Sequence, residues 1–248
     1  MLIPSLLLAA MLAALGWFVR NDRAEYAAFK ALTRTEDRQR ILRKWVLRCF
    51  LLFWGASLAV LLLLGRAGAL LRPPAEFAAL IASLHHDFSP GFAPILIGAV
   101  IGGAIGGAAL AAVRQRHGKT AQPKILGDIE PLFPRNADER RWTALLGANA
   151  GVGEELFFRL ALPLLIALVT GNSWLAFAAA GLIFGLVHFY QGWVGILATT
   201  VAGFVFAALY LASGQIWLPI LLHAVMNLNS LWLRPLLTER AKARDVSA

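Results

Sequence analysis

Apolar runs long enough to cross a bilayer recur along the chain, at about 2–19, 46–65, 92–113, 143–169, 174–189, 194–212 and 216–233. About 20 apolar residues in a helix match the thickness of a membrane's hydrocarbon core, so each run reads as one span. The expected fold is all-α, a polytopic transmembrane bundle of about seven helices forming a single membrane domain over 1–248. Composition agrees: 59% of the 248 residues are hydrophobic and 15% are charged, against about 25% charged in an average soluble domain. That excludes a disordered chain and argues against an ordinary soluble globule. The turn residues Thr170-Gly-Asn-Ser173 and Ala212-Ser-Gly-Gln215 join neighbouring spans as tight helical hairpins. Seven of the eight tryptophans fall at span ends, where an amphipathic ring prefers the headgroup level; Trp54 alone lies inside one.

A net charge of +9 would suggest nucleic acid in a soluble protein, so the position of the charges decides its meaning. Residues 20–44 carry eight Lys/Arg and four Asp/Glu, residues 114–141 seven and four, and the tail 234–248 four and two, while 66–91 is neutral. With seven spans these three basic segments share one side. The positive-inside rule makes that side cytoplasmic and places the N-terminus outside, in an integral, multi-pass membrane protein. The surplus is then a topology determinant, and no nucleic acid is needed as a partner. The run 2–19 lacks the basic flank of a secretory signal and is expected to stay as a helix. Phe77, Leu80, Ile81 and Leu84 follow helical spacing in a stretch too short to span, which predicts an interfacial helix over 75–86. His85-His86-Asp87 at its end reads as a solvated terminus, and the lone Cys49 permits no intrachain disulfide. Gly98, Gly102 and Gly106 form a small-residue stripe suited to helix packing. The chain has no convincing internal repeat, which argues against transporter folds built from inverted repeats.

Within this apolar sequence, Glu154, Glu155 and Arg159 lie together in the stretch 151–163. An ionised side chain at a span centre costs about 2.5–3.5 kcal/mol on the insertion scale, so two acids and a base on one helix require compensation. Glu155 and Arg159 are four residues apart and can pair on one face. Glu154 then points about 100° away, free to face a polar cavity. Pro163 cannot donate to the carbonyl of Arg159, and the helix is expected to bend or loosen one turn beyond the charges. Two other spans carry polar insertions: His188 one turn after Phe184, and His223 sharing a helix face with Asn227. Converging, a carboxylate, two imidazoles and an amide would hold water, activate it and stabilise an oxyanion. That set suits hydrolysis of an amide or ester, and no Ser or Cys nucleophile is paired with a base at comparable depth.

Glu154-Glu155-x-x-x-Arg159, Phe184-x-x-x-His188 and His223-x-x-x-Asn227, in this order on successive helices, resemble the CAAX-protease and bacteriocin-processing (CPBP, or ABI) family of intramembrane proteases, which includes Rce1-type CAAX endopeptidases. The resemblance covers about 142–233, with 1–141 supplying N-terminal spans and basic loops and 234–248 a cytoplasmic tail. It implies a helical bundle with a cavity open to the cytoplasm, and peptide-bond hydrolysis without a covalent intermediate. By the same resemblance Glu154 and His188 activate water, His223 and Asn227 stabilise the oxyanion, and Glu155, Arg159 and Phe184 support the site. The residue after the motif arginine is Leu160, where relatives commonly carry Gly. The implied partners are the bilayer and a membrane-tethered or prenylated peptide or protein substrate. Members have also been described as metalloproteases, and Glu154, His188 and His223 could ligate zinc. No H-E-x-x-H motif is present, and Asn227 is a poor zinc ligand but a good oxyanion donor, so a site without cofactor is favoured. A non-enzymatic membrane interaction or immunity protein on the same scaffold, and a transporter relaying protons through Glu154, are the alternative readings.

Overall fold

The computed structural model describes residues 2–87 and 127–233, with isolated positions between them, and among the described residues it is helical with no strand. Helix α1 (Leu2–Val19) has the bounds expected of the first span and buries only Met11 and Leu15, one turn apart; Leu2, Ile3 and Leu6 are exposed. The segment 20–44, expected as a loop, is largely helical. In α2 (Asp22–Ala31), Asp22 and Glu25 in the first turn and Lys30 in the last complement the helix dipole, and Tyr26 and Phe29 turn inward. Helix α3 (Thr35–Cys49) passes through a widened π turn at Phe50–Gly55 into α4 (Ala56–Leu63). Helix α5 (Ala78–Asp87) follows a 3-10 turn at Ala75–Phe77 and matches the expected short helix. Phe77 and Leu80 are fully buried, Phe77 against Phe177 with ring centroids 4.9 Å apart.

The central element begins with α6 (Ala137–Glu155), capped by the Asn136 side chain, which accepts from the Glu139 amide at 3.0 Å. A second π turn, Leu156–Ala161, leads into α7 (Leu162–Thr170). The loosened turn therefore lies just before Pro163, around Arg159, and not one turn beyond the charges. A proline relaxes the helix on its N-terminal side, where its missing donor and its ring act. Every residue from Gly153 to Ala167 is buried, including Leu160, which is 0% exposed. A stretch apolar on nearly all sides is a bundle's axis, and α1, α4 and α8 (Ser173–Leu186) pack around this one. Gly171, at φ +68°, ends α7 in the left-handed conformation, and Asn172 caps α8 from the next position. Helix α9 (Gly192–Ser213) and helix α10 (Trp217–Leu228) complete the bundle, joined at Gly214 (φ +66°).

Among the described residues, three helical stretches are long and apolar enough to cross a membrane: Leu2–Ala31, Thr35–Leu63 and Phe189–Ser213. They contain the expected spans 2–19 and 194–212 and all but the last two residues of 46–65. The runs at 174–189 and 216–233 form the shorter apolar helices Ser173–Leu186 and Trp217–Leu233. The run 143–169 is helical but interrupted by its charges, and 92–113, with its glycine stripe, lies outside the described residues apart from isolated positions.

Candidate active site

Helix α6 delivers two adjacent carboxylates to different surroundings. Glu155, 0% exposed, lies inside the protein, with Oε2 3.1 Å from Arg159 Nε one turn along and Oε1 2.7 Å from His223 Nδ1 on α10. The i, i+4 pair expected from the sequence forms, and it gains a histidine as a third member. The Arg159 guanidinium lies 4.2 Å from the Phe184 ring centroid and donates from Nη2 to the Gly203 carbonyl on α9 at 3.3 Å. A buried ion pair is tolerated when further donors and a ring face compensate lost hydration, as here. One residue away, Glu154 makes none of these contacts and faces a cavity.

His188 departs from its expected place on a helix. Helix α8 ends at Leu186, and His188 sits in the turn beyond it, its amide donating to Gly185 O at 3.1 Å. Its Nδ1 lies 2.7 Å from the Phe184 carbonyl, which fixes the tautomer: Nδ1 carries the proton and Nε2 presents a lone pair. That Nε2 is 3.9 Å from Glu154 Oε2. Phe184 packs edge-on to His188, centroids 4.8 Å apart, and so links the buried Arg159 to the cavity histidine. On α10, the His223 ring stacks on Phe206 at 5.0 Å, and Asn227 one turn on donates from Nδ2 to Gly147 O of α6 at 3.1 Å.

Glu154, His188, His223 and Asn227 all line a cavity of about 510 Å³, whereas Glu155 and Arg159 stand behind its wall. Sequence reasoning missed the opposite wall, supplied by the N-terminal helices through Phe18, Asp22, Tyr26, Trp45 and Cys49. These residues carry no local motif; only their helical spacing, Asp22 with Tyr26 and Trp45 with Cys49, marks a shared face. The wall is pinned where Tyr26 donates to the Asp128 carbonyl, Lys30 pairs with the Asp128 carboxylate, and Asp128 N donates to Gln191 O at 3.0 Å. Among the described residues no three His, Cys, Asp or Glu side chains gather closely enough to hold a metal ion. Glu155 engages His223 Nδ1, which leaves Nε2 as the ring nitrogen free for other partners.

Residues 138–229 match the family model for the type II CAAX prenyl endopeptidase Rce1-like proteins, a segment that contains Glu154, Glu155, Arg159, Phe184, His188, His223 and Asn227. No curated protein matches the chain, and no solved structure does. The matched segment lies close to the 142–233 over which the motifs themselves suggested this family. Residues 138–229 are thus similar to an Rce1-like domain, in a chain whose described residues include three helical stretches long and apolar enough to cross a membrane.

Proposed function

We propose that the chain is an intramembrane endopeptidase of the CAAX-protease type, hydrolysing a peptide bond in a membrane-tethered or prenylated substrate with directly activated water and no metal. The observation that carries this reading is the facing of Glu154 and His188 across 3.9 Å in a cavity whose wall also presents His223 and Asn227. That separation is too long for a direct hydrogen bond. It suits one water donating to both groups, to the Glu154 carboxylate and to the His188 Nε2 lone pair, which leaves the water's own lone pair aimed outward. As the water oxygen attacks the scissile carbonyl, its proton passes to Glu154, and the carbonyl oxygen becomes an oxyanion. Doubly protonated His223 donates from Nδ1 to Glu155 and from Nε2 to that oxyanion. Asn227 retains one amide hydrogen for it beyond the one bonded to Gly147. Collapse of the tetrahedral intermediate breaks the C–N bond, and the proton held by Glu154 passes to the leaving amine. The cavity is reached from the cytoplasmic side, with the N-terminus outside, as the charge distribution favours.

The test is reconstitution into vesicles with a panel of membrane-tethered and prenylated peptides, comparing wild type with Glu154→Gln and His188→Ala. Removal of a general base lowers rate by about 10²–10⁴-fold. Variants that cleave as well as wild type would overturn the assignment. Cleavage should persist in a strong chelator; loss of activity restored by added zinc would overturn the metal-free mechanism.

A further inference from the structure

On the far side of α3 and α6 from the cavity runs a second concavity, about 600 Å³, which shares no lining residue with the first. Its two walls are helical stripes. From α3 through its π turn come Arg43, Leu47, Phe50 and Trp54, and from α6 come Trp142, Leu145 and Val152. Leu47, Phe50 and Leu145 are exposed, so the trough is open and apolar. One end is different. The guanidinium of Arg43 lies 5.2 Å from the Trp142 ring centroid and that of Arg141 5.7 Å, and neither arginine has an acidic partner among the described residues. The Trp142 Nε1 donor is shielded from solvent and has no acceptor among the described residues. Trp142 and Val152 stand ten residue steps apart on the helix, roughly 15 Å at the α-helical rise. That is about half a bilayer's hydrocarbon core, the depth of one leaflet.

We propose that this groove is a binding site for one anionic glycerophospholipid, its acyl chain along Leu47, Phe50 and Leu145 and its phosphate between Arg43 and Arg141, with Trp142 Nε1 donating to a phosphate or ester oxygen. Charge selects the headgroup: two cations and an unused donor at the mouth of an apolar trough match a phosphate diester with net negative charge, and a zwitterionic choline lipid would bring its own ammonium against them. Length selects the tail, since the groove ends where one leaflet ends. The arginines belong to the basic segments 20–44 and 114–141, so the lipid lies in the leaflet those segments face. The site is independent of the proposed chemistry, because α3 and α6 turn other faces toward the cavity.

The full chain, purified in detergent, is offered equimolar phosphatidylglycerol and phosphatidylcholine of identical acyl chains, and retained lipid is counted by native mass spectrometry. Wild type should retain phosphatidylglycerol in preference by about tenfold or more, the effect expected of two arginines at a charged surface. R43Q/R141Q should bring that preference within about twofold of parity while unfolding at the same temperature as wild type in phosphatidylcholine, and R43K/R141K, which keeps both charges, should preserve it. Quenching by phosphatidylglycerol brominated on its acyl chain should fall in Trp142→Phe relative to wild type. Equal retention of the two lipids by wild type, an unchanged preference in R43Q/R141Q, loss of preference in R43K/R141K, or unaltered quenching in Trp142→Phe would each overturn the proposal.

Discussion

Adjacent carboxylates with opposite surroundings yield opposite consequences when each is neutralised. Glu155 is fully buried between Arg159 and His223, so Glu155→Gln leaves a buried guanidinium without its counter-charge. Breaking such a pair costs about 3–5 kcal/mol, and thermal unfolding in detergent should show a large drop in midpoint. Among the described residues Glu154 makes no hydrogen bond, and its nearest charge-bearing partner is His188 Nε2 at 3.9 Å, so Glu154→Gln should leave the unfolding temperature nearly unchanged while cleavage is lost. Equal destabilisation by the two variants would refute the division of labour. Much of this was legible in the sequence. A period of 3.6 residues places Glu155 and Arg159 on one face and turns Glu154 off it, and the expense of charge in an apolar run marks all three. The place of His188 was not, because the end of α8 is set by the Phe189–Gln191 turn and not by a break in hydropathy. Cavity residues such as Asp22 and Cys49 also escaped, since helical spacing shows that two residues share a face but not which cavity that face meets.

At the scale of helices, His223 and Asn227 come to line the same cavity as Glu154 because α6 and α10 touch backbone to backbone. A Cβ on Gly151 would stand 2.6 Å from the Ala224 Cα, and one on Gly147 would stand 3.2 Å from the Asn227 Cβ. Ala224 follows His223 directly, so the room at Gly151 fixes how near His223 comes to the carboxylates. Gly151→Ala should push α10 outward, costing about 1–3 kcal/mol as overpacking does and lowering kcat by around 10²-fold through misplacement of His223 and Asn227. Parallel measurements of unfolding temperature and of kcat on one tethered peptide check this; activity at the wild-type level would show that the contact does not position the site. Small residues at this spacing are legible as a packing face, and the sequence drew attention to Gly98, Gly102 and Gly106 on that ground. The stripe that joins the site helices is Gly147 and Gly151, hidden in the sequence because it adjoins the charged motif and reads as part of it.

Across the whole molecule, the charges that the sequence assigned to topology include one that also holds the two halves together. Arg38 of α3 is 0% exposed; its Nε lies 3.0 Å from both carboxylate oxygens of Glu139, and its Nη2 donates to Pro131 O at 3.0 Å and Phe133 O at 3.3 Å. Its guanidinium rests 4.2 Å from the Phe29 ring centroid, which ties α2 into the same knot. Glu139 opens α6, so the pair joins the N-terminal helices, which form one cavity wall, to the first turn of the Rce1-like segment, which forms the other. Counting loop charge cannot distinguish such a residue from its solvated neighbours Arg40 and Arg43, because burial here comes from contacts about a hundred positions apart in the chain. Arg38→Met or Glu139→Leu alone strands an ion in the interior and should destabilise by about 3–5 kcal/mol, whereas the double variant removes both charges and should recover most of that loss. A double-mutant cycle on thermal midpoints measures the coupling, and cleavage efficiency should follow the same order, since each single variant loosens the wall that carries Asp22 and Tyr26. Additive destabilisation in the cycle would show that Arg38 and Glu139 act separately, and that the two walls of the cavity are held together by their other contacts, such as those of Tyr26 and Lys30 to Asp128.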